Sequence, residues 1–508
     1  MSQVKAALVT VCSALLLQAC TTLGPDYEEP PVDWLQEWQT DLYGQYEPAS
    51  AARADLDFWW KAFNDPVLTG LIETAKRENP GIRIAALAIV QSRALLGVAT
   101  GSQYPQVQKL EGAYARNDTW PTEGDNSGNN TNFNTYGAGA TIAWELDFWG
   151  RWQRTVESAD AGFYASLTNQ QNVQVLLSAQ VAQSYFSWRT IKRQIEIARE
   201  NASLQQRSFE ITSRLFERGQ SSELDLQQAR NQYLTTLASI PALEISLRQV
   251  ENALSVLLGR YPGNLPELAG LDAELPVLDA VMIDEIPASL LMRRPDIRTS
   301  AWRVAAQSAQ IGVAKADLYP SISLLGTVGW SGSSVNGTTN SLASSVGPSF
   351  SWKVLNYGRI KNAVRVQDAL LQQAIEGYQA TVLQAAQEID SAAIGVVKTQ
   401  EQKAILAESL EAAQRSLELA TKRYQEGYSD FQRVLDAQRA LAAASNSYVS
   451  NQGAHVGAVV AFYKALGGGW QPVSGEELIP AATRQQMEAR TDWNDMLVAP
   501  LPDVDSKP

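Results

Sequence analysis

Histidine and cysteine are almost missing from this chain. Its 508 residues include one histidine, His455, and two cysteines, Cys12 and Cys20. Structural zinc sites draw on several Cys and His ligands, and Ser-His-Asp hydrolysis needs a positioned imidazole. So little of either argues against both, and no metal or cofactor site is expected. A disulfide framework is excluded if one cysteine leaves with a leader. Basic residues are outnumbered, with 41 Lys and Arg against 54 Asp and Glu and a net charge of −13. That balance argues against a nucleic-acid surface. Beyond the N-terminus no stretch reads as long and apolar enough for a transmembrane helix. Proline is missing over the whole of residues 151–217. At 45% hydrophobic and 19% charged residues the chain is nonetheless no disordered tail.

The N-terminus reads MSQVKAALVTVCSALLLQAC: Lys5, an apolar run, then small residues. That is the pattern of a secretory leader, too short to span a bilayer. Leu17-Gln18-Ala19-Cys20 resembles a bacterial lipobox. There the leader is cut before the cysteine and the thiol receives diacylglycerol, so Cys20 is the expected lipidation site. Gln18 departs from the usual small residue, and an ordinary leader with a chance cysteine is the alternative. Thr21, rather than Asp, follows Cys20; in the resembled lipoproteins that favours the outer membrane.

The chain repeats itself. LGVATGSQYP (96–105) parallels IGVAKADLYP (311–320), WELDFWGR (144–151) parallels WKVLNYGR (352–359), and RSFEITSRLFERG (207–219) parallels RSLELATKRYQEG (415–427). Each half reads as helix, Tyr-Pro, two strands, Gly-Arg, very long helix, glycine turn and helix.

The strands alternate. In TYGAGATIAWEL, Tyr136, Ala138, Ala140, Ile142, Trp144 and Leu146 take every second place, with small or polar residues between. The second half does the same in two strands, the later one starting at Val346, after a polar loop at 331–345. Strands of about ten residues suffice to cross a bilayer when tilted. Aromatic residues gather at one end, and Trp144, Trp149 and Trp352 suit an interfacial girdle. Pro105 and Pro320 are expected to break the helix where it hands over to strand. Four strands make a thin core for a soluble sandwich and cannot close a barrel, so the chain must self-associate.

The long helices are predicted at 151–217 and from Gly358 to Glu426. At about 1.5 Å per residue each is a rod of roughly 100 Å. Val173, Leu177, Val181, Tyr185, Trp188, Ile191, Ile195 and Ala198 form one apolar stripe; Val366, Leu370, Tyr378, Val382, Ala386 and Ile389 form the other. Each rod stops at a glycine, Gly219 or Gly427, and a helix of 35 to 40 residues returns. The hairpin tips would lie about 100 Å from the strands.

Together the lipobox followed by LGPDY, the paired Tyr-Pro entries, the two Gly-Arg helix starts and GYSDFQRVLDAQR resemble the TolC-type outer-membrane efflux family, in its lipoprotein branch serving resistance-nodulation-division pumps. The resemblance implies a mainly α fold with a transmembrane β part: a homotrimer whose twelve-stranded β-barrel continues into a long periplasmic α-helical barrel. It implies docking on a periplasmic adaptor protein and an inner-membrane transporter, contact with outer-membrane lipid, and passive exit of drugs or small toxic compounds without catalysis. It also places an acidic ring near the second hairpin tip, where Asp436 is the matching residue. Arg433 stands where relatives often carry another acid, and Asp430 is nearby; Arg433 could pair with Asp430, Asp436, Asp225 or Glu223. Gly219, Gly427 and Tyr428 are the expected tip residues that an adaptor reads. His455 reads as a plain helix residue. The expected organisation is signal peptide 1–19, anchored collar segment 20–80, first repeat 81–259, linker 260–294, second repeat 295–468 and collar tail 469–508. A type I protein-secretion duct and a non-porous periplasmic coiled-coil scaffold are the rival readings.

Overall fold

A computed structural model describes residues 22–32, 56–119, 131–276, 291–333 and 340–503. The leader, Cys20 and most of both strand-connecting loops lie outside them. Eight α-helices and four strands are described: α1 (Pro66–Glu78), α2 (Pro80–Gly101), β1 (Val107–Thr119), β2 (Thr131–Leu146), α3 (Arg151–Glu217), α4 (Glu223–Leu257), α5 (Pro295–Ala316), β3 (Ser321–Gly332), β4 (Ser341–Ser351), α6 (Arg359–Gln425), α7 (Phe431–Ala465) and α8 (Ala481–Glu488). Residue contacts divide the chain into two compact units. One holds 1–31, 88–167 and 299–378; the other holds 32–87, 168–298 and 379–508.

The duplication is regular to the residue. Helices α3 and α6 each run 67 residues, α4 and α7 each 35, and α2 and α5 each 22. From Gly150 and Gly358 onward, equivalent residues are 208 apart (358 − 150); before the strands they are 215 apart, as in Pro80 and Pro295 (295 − 80). The strand pair and loop of the first repeat are therefore seven residues longer (215 − 208).

In the first unit the strands form one antiparallel sheet in the order β1-β2-β3-β4. Its register carries Leu110, Ala140 and Val328 across one face, and Lys109, Thr141 and Thr327 across the other. The alternation read from sequence thus becomes a continuous oily face, completed on β4 by Leu342, Val346 and Phe350. Two expectations are corrected here. The strands are 11 to 16 residues long rather than about ten. Moreover, β4 begins at Ser341, because Trp330 pairs with Leu342 and draws SLASS into the ladder. The serines hid this by lacking apolar alternation.

Arg154, on the first turns of α3, organises the chain from Leu23 to Asp26. Its guanidinium donates to Leu23 O at 3.1 Å and to Asp26 Oδ1 at 2.6 Å, and pairs with Glu157 at 2.7 Å. Leu23 N donates in turn to Trp149 O at 3.2 Å. Gly24 has φ +96°, and a Cβ there would stand 2.6 Å from Gly312 Cα. No other residue fits both the backbone angle and the gap. Tyr378 adds a hydrogen bond to Glu29 at 3.2 Å. Burial and the Glu29 charge push its phenol well above the ordinary tyrosine pKa.

In the second unit the two hairpins turn on Gly219 (φ +72°) and Gly427 (φ +78°). At each, the glycine N–H bonds to the carbonyl three residues back, Phe216 or Tyr424, and the next N–H to Leu215 or Arg423. This satisfies the carbonyls a helix end leaves bare and needs a left-handed residue. Asp65 caps α1 through Oδ1, accepting from Val67 N (2.9 Å) and Leu68 N (3.1 Å). Its Oδ2 meanwhile accepts from Tyr185 (2.7 Å) and Arg189 (2.8 Å) on α3. Trp59 stacks on Tyr463 and meets Trp60 edge-on, which gives this unit an aromatic centre. Helix α4 runs through Pro241 without a break.

The apolar stripe on α3 is largely buried: Leu177, Val181, Tyr185, Trp188, Ile195 and Ala198 all are. The stripe predicted on α6 is split. Tyr378, Val382 and Ile389 are buried, whereas Val366 and Leu370 are exposed. Periodicity defines a face but not its cover, and the described residues supply no cover there. A second correction concerns α2, which is long and apolar enough to cross a membrane, with mean hydropathy 1.6 over its best window. Arg83 and Arg93 are its only charged residues.

His455 on α7 is buried. Thr399 Oγ1 donates to Gly395 O at 2.7 Å, so its 2.9 Å contact with His455 Nδ1 is met by an Nδ1–H donor. Nε2 then carries the bare lone pair, buried without a hydrogen-bond partner. Burial first, and the Lys403 charge second, hold its pKa below the ordinary imidazole value of 6.5, against a smaller opposing pull from the Val396 carbonyl. The unfolded chain takes up a proton near pH 6.5 while the folded chain resists it. Stability is therefore complete above about pH 6.5 and is lost as the pH falls below that value. Thermal unfolding of wild type should lose more between pH 7 and pH 5 than unfolding of H455Q. Parallel pH profiles would show that this imidazole titrates freely in the fold.

Candidate functional site

Three places in the chain carry chemistry that a duct would use. The first is the sheet. Its second face presents Lys109, Glu111, Gly137, Gly139, Thr141, Thr327, Gly329, Ser345 and Gly347. These side chains are short apart from one facing cation and anion, and the same face also carries Asn117, Phe133, Glu145 and Leu325 toward its ends. The edges, β1 and β4, have no partner strand among the described residues.

The second place is the handover from helix to strand. Pro105 lies between the end of α2 and the start of β1, and Pro320 directly before β3. The predicted girdle tryptophans all donate to backbone carbonyls at these junctions. Trp144 Nε1 bonds to Gln103 O (3.1 Å), its equivalent Trp352 Nε1 to Leu318 O (3.0 Å), and Trp149 Nε1 to Pro320 O (2.7 Å). Trp149 also packs on Tyr319, ring centres 4.7 Å apart. Each indole therefore has an apolar body at the foot of the sheet and a satisfied N–H. Beneath them Arg151 and Lys353 share Asp317, at 3.3 and 3.5 Å.

The third place is the pair of hairpin tips. Asp430 caps α7, its Oδ1 accepting from Arg433 N at 3.4 Å, with the Arg433 guanidinium 3.8 Å away. Of the partners considered for Arg433, Asp430 is the one it meets; the described residues show no ion pair to Asp436, Asp225 or Glu223. Asp225 instead closes a capping box with Ser222. Asp436 accepts from Gln432 at 3.0 Å and faces Arg439 at 3.6 Å, a cation not among the expected tip residues. Spacing i, i+3 on a helix could have revealed it. Tyr428 is exposed beside Gly427, while Phe431, Val434 and Leu435 anchor the tip in an apolar cluster with Ala229. Asp430, Arg433 and Asp436 thus stand on one exposed tip, close in sequence but not in one ion-pair network. Cys20 lies outside the described residues; the chain after it is fixed from Leu23 to Trp149 and Arg154.

A sheet with one oily and one small, polar face, open at both edges and joined to two long helical hairpins, defines a class: an outer-membrane channel subunit. The sequence profile of the outer membrane efflux protein family matches residues 71–260 and 286–468, and the chain belongs to that family. It is 29% identical over 479 residues to the toluene efflux pump outer membrane protein TtgF of Pseudomonas putida, covering 92% of this chain and 98% of the relative. It is 29% identical over 478 residues to the probable outer membrane lipoprotein SilC of Salmonella typhimurium, covering 92% and 99%. The solved outer-membrane channel OprN superposes with a TM-score of 0.78 at 31% identity, covering 89% of this chain and all of that one. The expected fold class holds: mainly helical, with four strands and two long hairpins. The chain is the outer-membrane channel component of an efflux system.

Proposed function

We propose that three copies close a twelve-stranded barrel in the outer membrane and form a passive exit duct for drugs or other small toxic compounds. The observation that carries this is the four-stranded sheet with one oily face and two open edges. Lipid offers no partner for bare N–H and C=O groups, so a spanning sheet must close. Barrels of eight strands fill with side chains, whereas twelve leave a lumen. A wall of Gly, Ser, Thr and Ala lets cargo pass without selecting it, so selection falls to an inner-membrane resistance-nodulation-division transporter reached through a periplasmic adaptor. Passage through the duct involves no catalytic step. Lipidation of Cys20 would tether the chain beside the bilayer, and the fixing of Leu23 and Asp26 to Arg154 on the first turns of α3 supports that placement. Single-channel recording of the purified protein in a planar bilayer tests the reading. Conductance from a trimer is expected, and a silent, non-trimeric protein would overturn it.

At the periplasmic end, Asp436 is the acid we assign to the constriction, with Gly219, Gly427 and Tyr428 shaping the surface an adaptor reads. Asp430 acts first as the α7 cap, and Arg433 tempers its charge. Threefold symmetry would bring three Asp436 carboxylates together, repelling one another and attracting cations. D436A should raise conductance and weaken cation block. R439A, which frees Asp436 of its counter-charge, should shift cation block the opposite way. Unchanged values in both variants would remove Asp436 from the gate.

A further inference from the structure

The oily face of the sheet is not flat. Two successive rungs on it set large against small: Ile142, Gly326 and Val346 on one, Ala140, Val328 and Ser344 on the next. Together they enclose a hollow of about 360 Å³, lined mainly by Ala140, Ile142, Gly326, Val328 and Val346. The rung below on this face holds Trp144, Leu324 and Pro348, and the rung above holds Trp330 and Leu342. Gly326 leaves the floor of the hollow bare. A Cβ built there would meet only Val346 Cγ2, at 3.9 Å, and its φ lies outside the left-handed region. Neither crowding nor backbone strain therefore calls for glycine at this place. Walled by methyl groups and bare of charge, the hollow suits an aliphatic chain.

The N-terminal segment is fixed at the foot of the same strand. Thr22 closes over Gly150, where a Cβ would stand 2.7 Å from Thr22 Cγ2. Leu23 N bonds to Trp149 O at 3.2 Å, and Arg154 holds Leu23 O and Asp26. Cys20 precedes Thr22 by two residues, a reach of at most about 7 Å. Ile142 stands four places above Leu146, the last residue of β2, or about 13 Å along the strand. An acyl chain crosses its own half of a hydrocarbon core about 30 Å thick, roughly 15 Å. The lengths match. A tether that only kept the chain at the membrane could leave it through a loose linker. Here the exit is fixed beside β2, so acyl groups on Cys20 start from one sector of the sheet.

We propose that this hollow holds an acyl chain of the protein's own anchor, the diacylglycerol on Cys20. The inference rests on the lipidation proposed above and deepens it to a place on the barrel wall. Free membrane lipids reach the hollow as well, but they exchange, whereas a tethered chain stays beside it at high effective concentration. Docked there, the acyl chain gains dispersion contacts with Ile142, Val328 and Val346, all exposed without it. It ties the anchor to three strands at once. Gly326 then has a reason: a side chain in its place would occupy the volume that the acyl chain fills.

Photoreactive p-benzoylphenylalanine placed at Ile142 or at Val346 of the full-length protein, irradiated in native membranes, tests this. Mass spectrometry after digestion should find the acylated N-terminal peptide joined to β2 or β4. The same probe at Leu110 lies on the Ala140 rung but two strands from Gly326, and should capture bulk lipid alone. G326L fills the hollow with an apolar side chain that a lipid face accepts, and should remove the anchor adduct at both sites. Bulk lipid as the adduct at all three positions, with Cys20 acylated by intact mass, overturns the placement and leaves lipidation standing. A Cys20 without acyl groups overturns both. An anchor adduct that forms equally at Leu110, or survives G326L at full yield, shows that the acyl chain is not held in the hollow and likewise overturns the placement.

Discussion

An arginine at Val328 should all but abolish assembly of the channel, whereas one at the adjacent Thr327 should not. The two residues are neighbours on β3, but the register sends them to opposite faces. Val328 lies in a row with Ala140 and Ser344, and Thr327 in a row with Thr141 and Ser345. On the oily face, an arginine near the bilayer midplane costs about 2–4 kcal/mol. At about 1.4 kcal/mol per tenfold, that is roughly a 30- to 1,000-fold loss per copy, and all three copies carry the change. T327R faces water, with uncharged residues opposite it on both neighbouring strands, so the barrel should form and its conductance fall. Heat-resistant oligomer in outer-membrane fractions reads the first effect and single-channel recording the second. Equal loss of assembly in both variants would mean the two faces are not lipid and lumen.

The second large effect is expected at Arg294, a buried residue directly before α5. Its guanidinium donates to Ala465 O at 2.7 Å, the last carbonyl of α7, and pairs with Asp296 at 2.7 Å and Glu388 at 3.0 Å. The first repeat solves the same problem with Asn79, whose amide donates to Leu257 O at 2.8 Å. R294A removes the charge that Asp296 and Glu388 share, leaving Glu388 with Lys464 at 3.9 Å. Breaking a buried pair costs about 3–5 kcal/mol. Asp296 and Glu388 are both 28% exposed, so water offsets part of this and the lower end applies. Asp296 also keeps its bond from Ile297 N. A loss of about 3 kcal/mol is expected for R294A and a smaller one for R294N, which retains the carbonyl bond. Denaturant unfolding followed by helical circular dichroism measures both. An R294A variant as stable as wild type would show that the two acids relax into water without cost.

How much could be read beforehand followed the range of each interaction. Gly219 and Gly427 were legible because a left-handed helix cap is a property of one residue and its neighbours. The faces of β2 and β3 were legible because alternation is a local pattern. Asp65 was not, since its cap is local but its partners Tyr185 and Arg189 lie 120 and 124 residues away. Arg154 and Asp26 were hidden for the same reason, although LGPDY had been singled out. Arg294 left one usable trace. Aligning the repeats sets it against Asn79, and a position alternating between two hydrogen-bond donors before a proline signals a shared acceptor. At the tip the acids were found, but Arg439 was missed and Arg433 was given more partners than it takes.

By itself, then, the sequence determined the duplication, the lengths and ends of the rods, and which residues of β2 and β3 share a face. These depend on periods of 2 and 3.6 residues and on glycines and prolines acting where they stand. Only the tertiary structure decided that four strands pair consecutively in one open sheet and that Leu23 and Asp26 are pinned by Arg154. It alone decided that the stripe on α6 is covered from Tyr378 onward and bare at Val366 and Leu370. The joining of β2 to β3 and the pinning by Arg154 bring together residues more than a hundred positions apart, and no local pattern encodes which partner arrives.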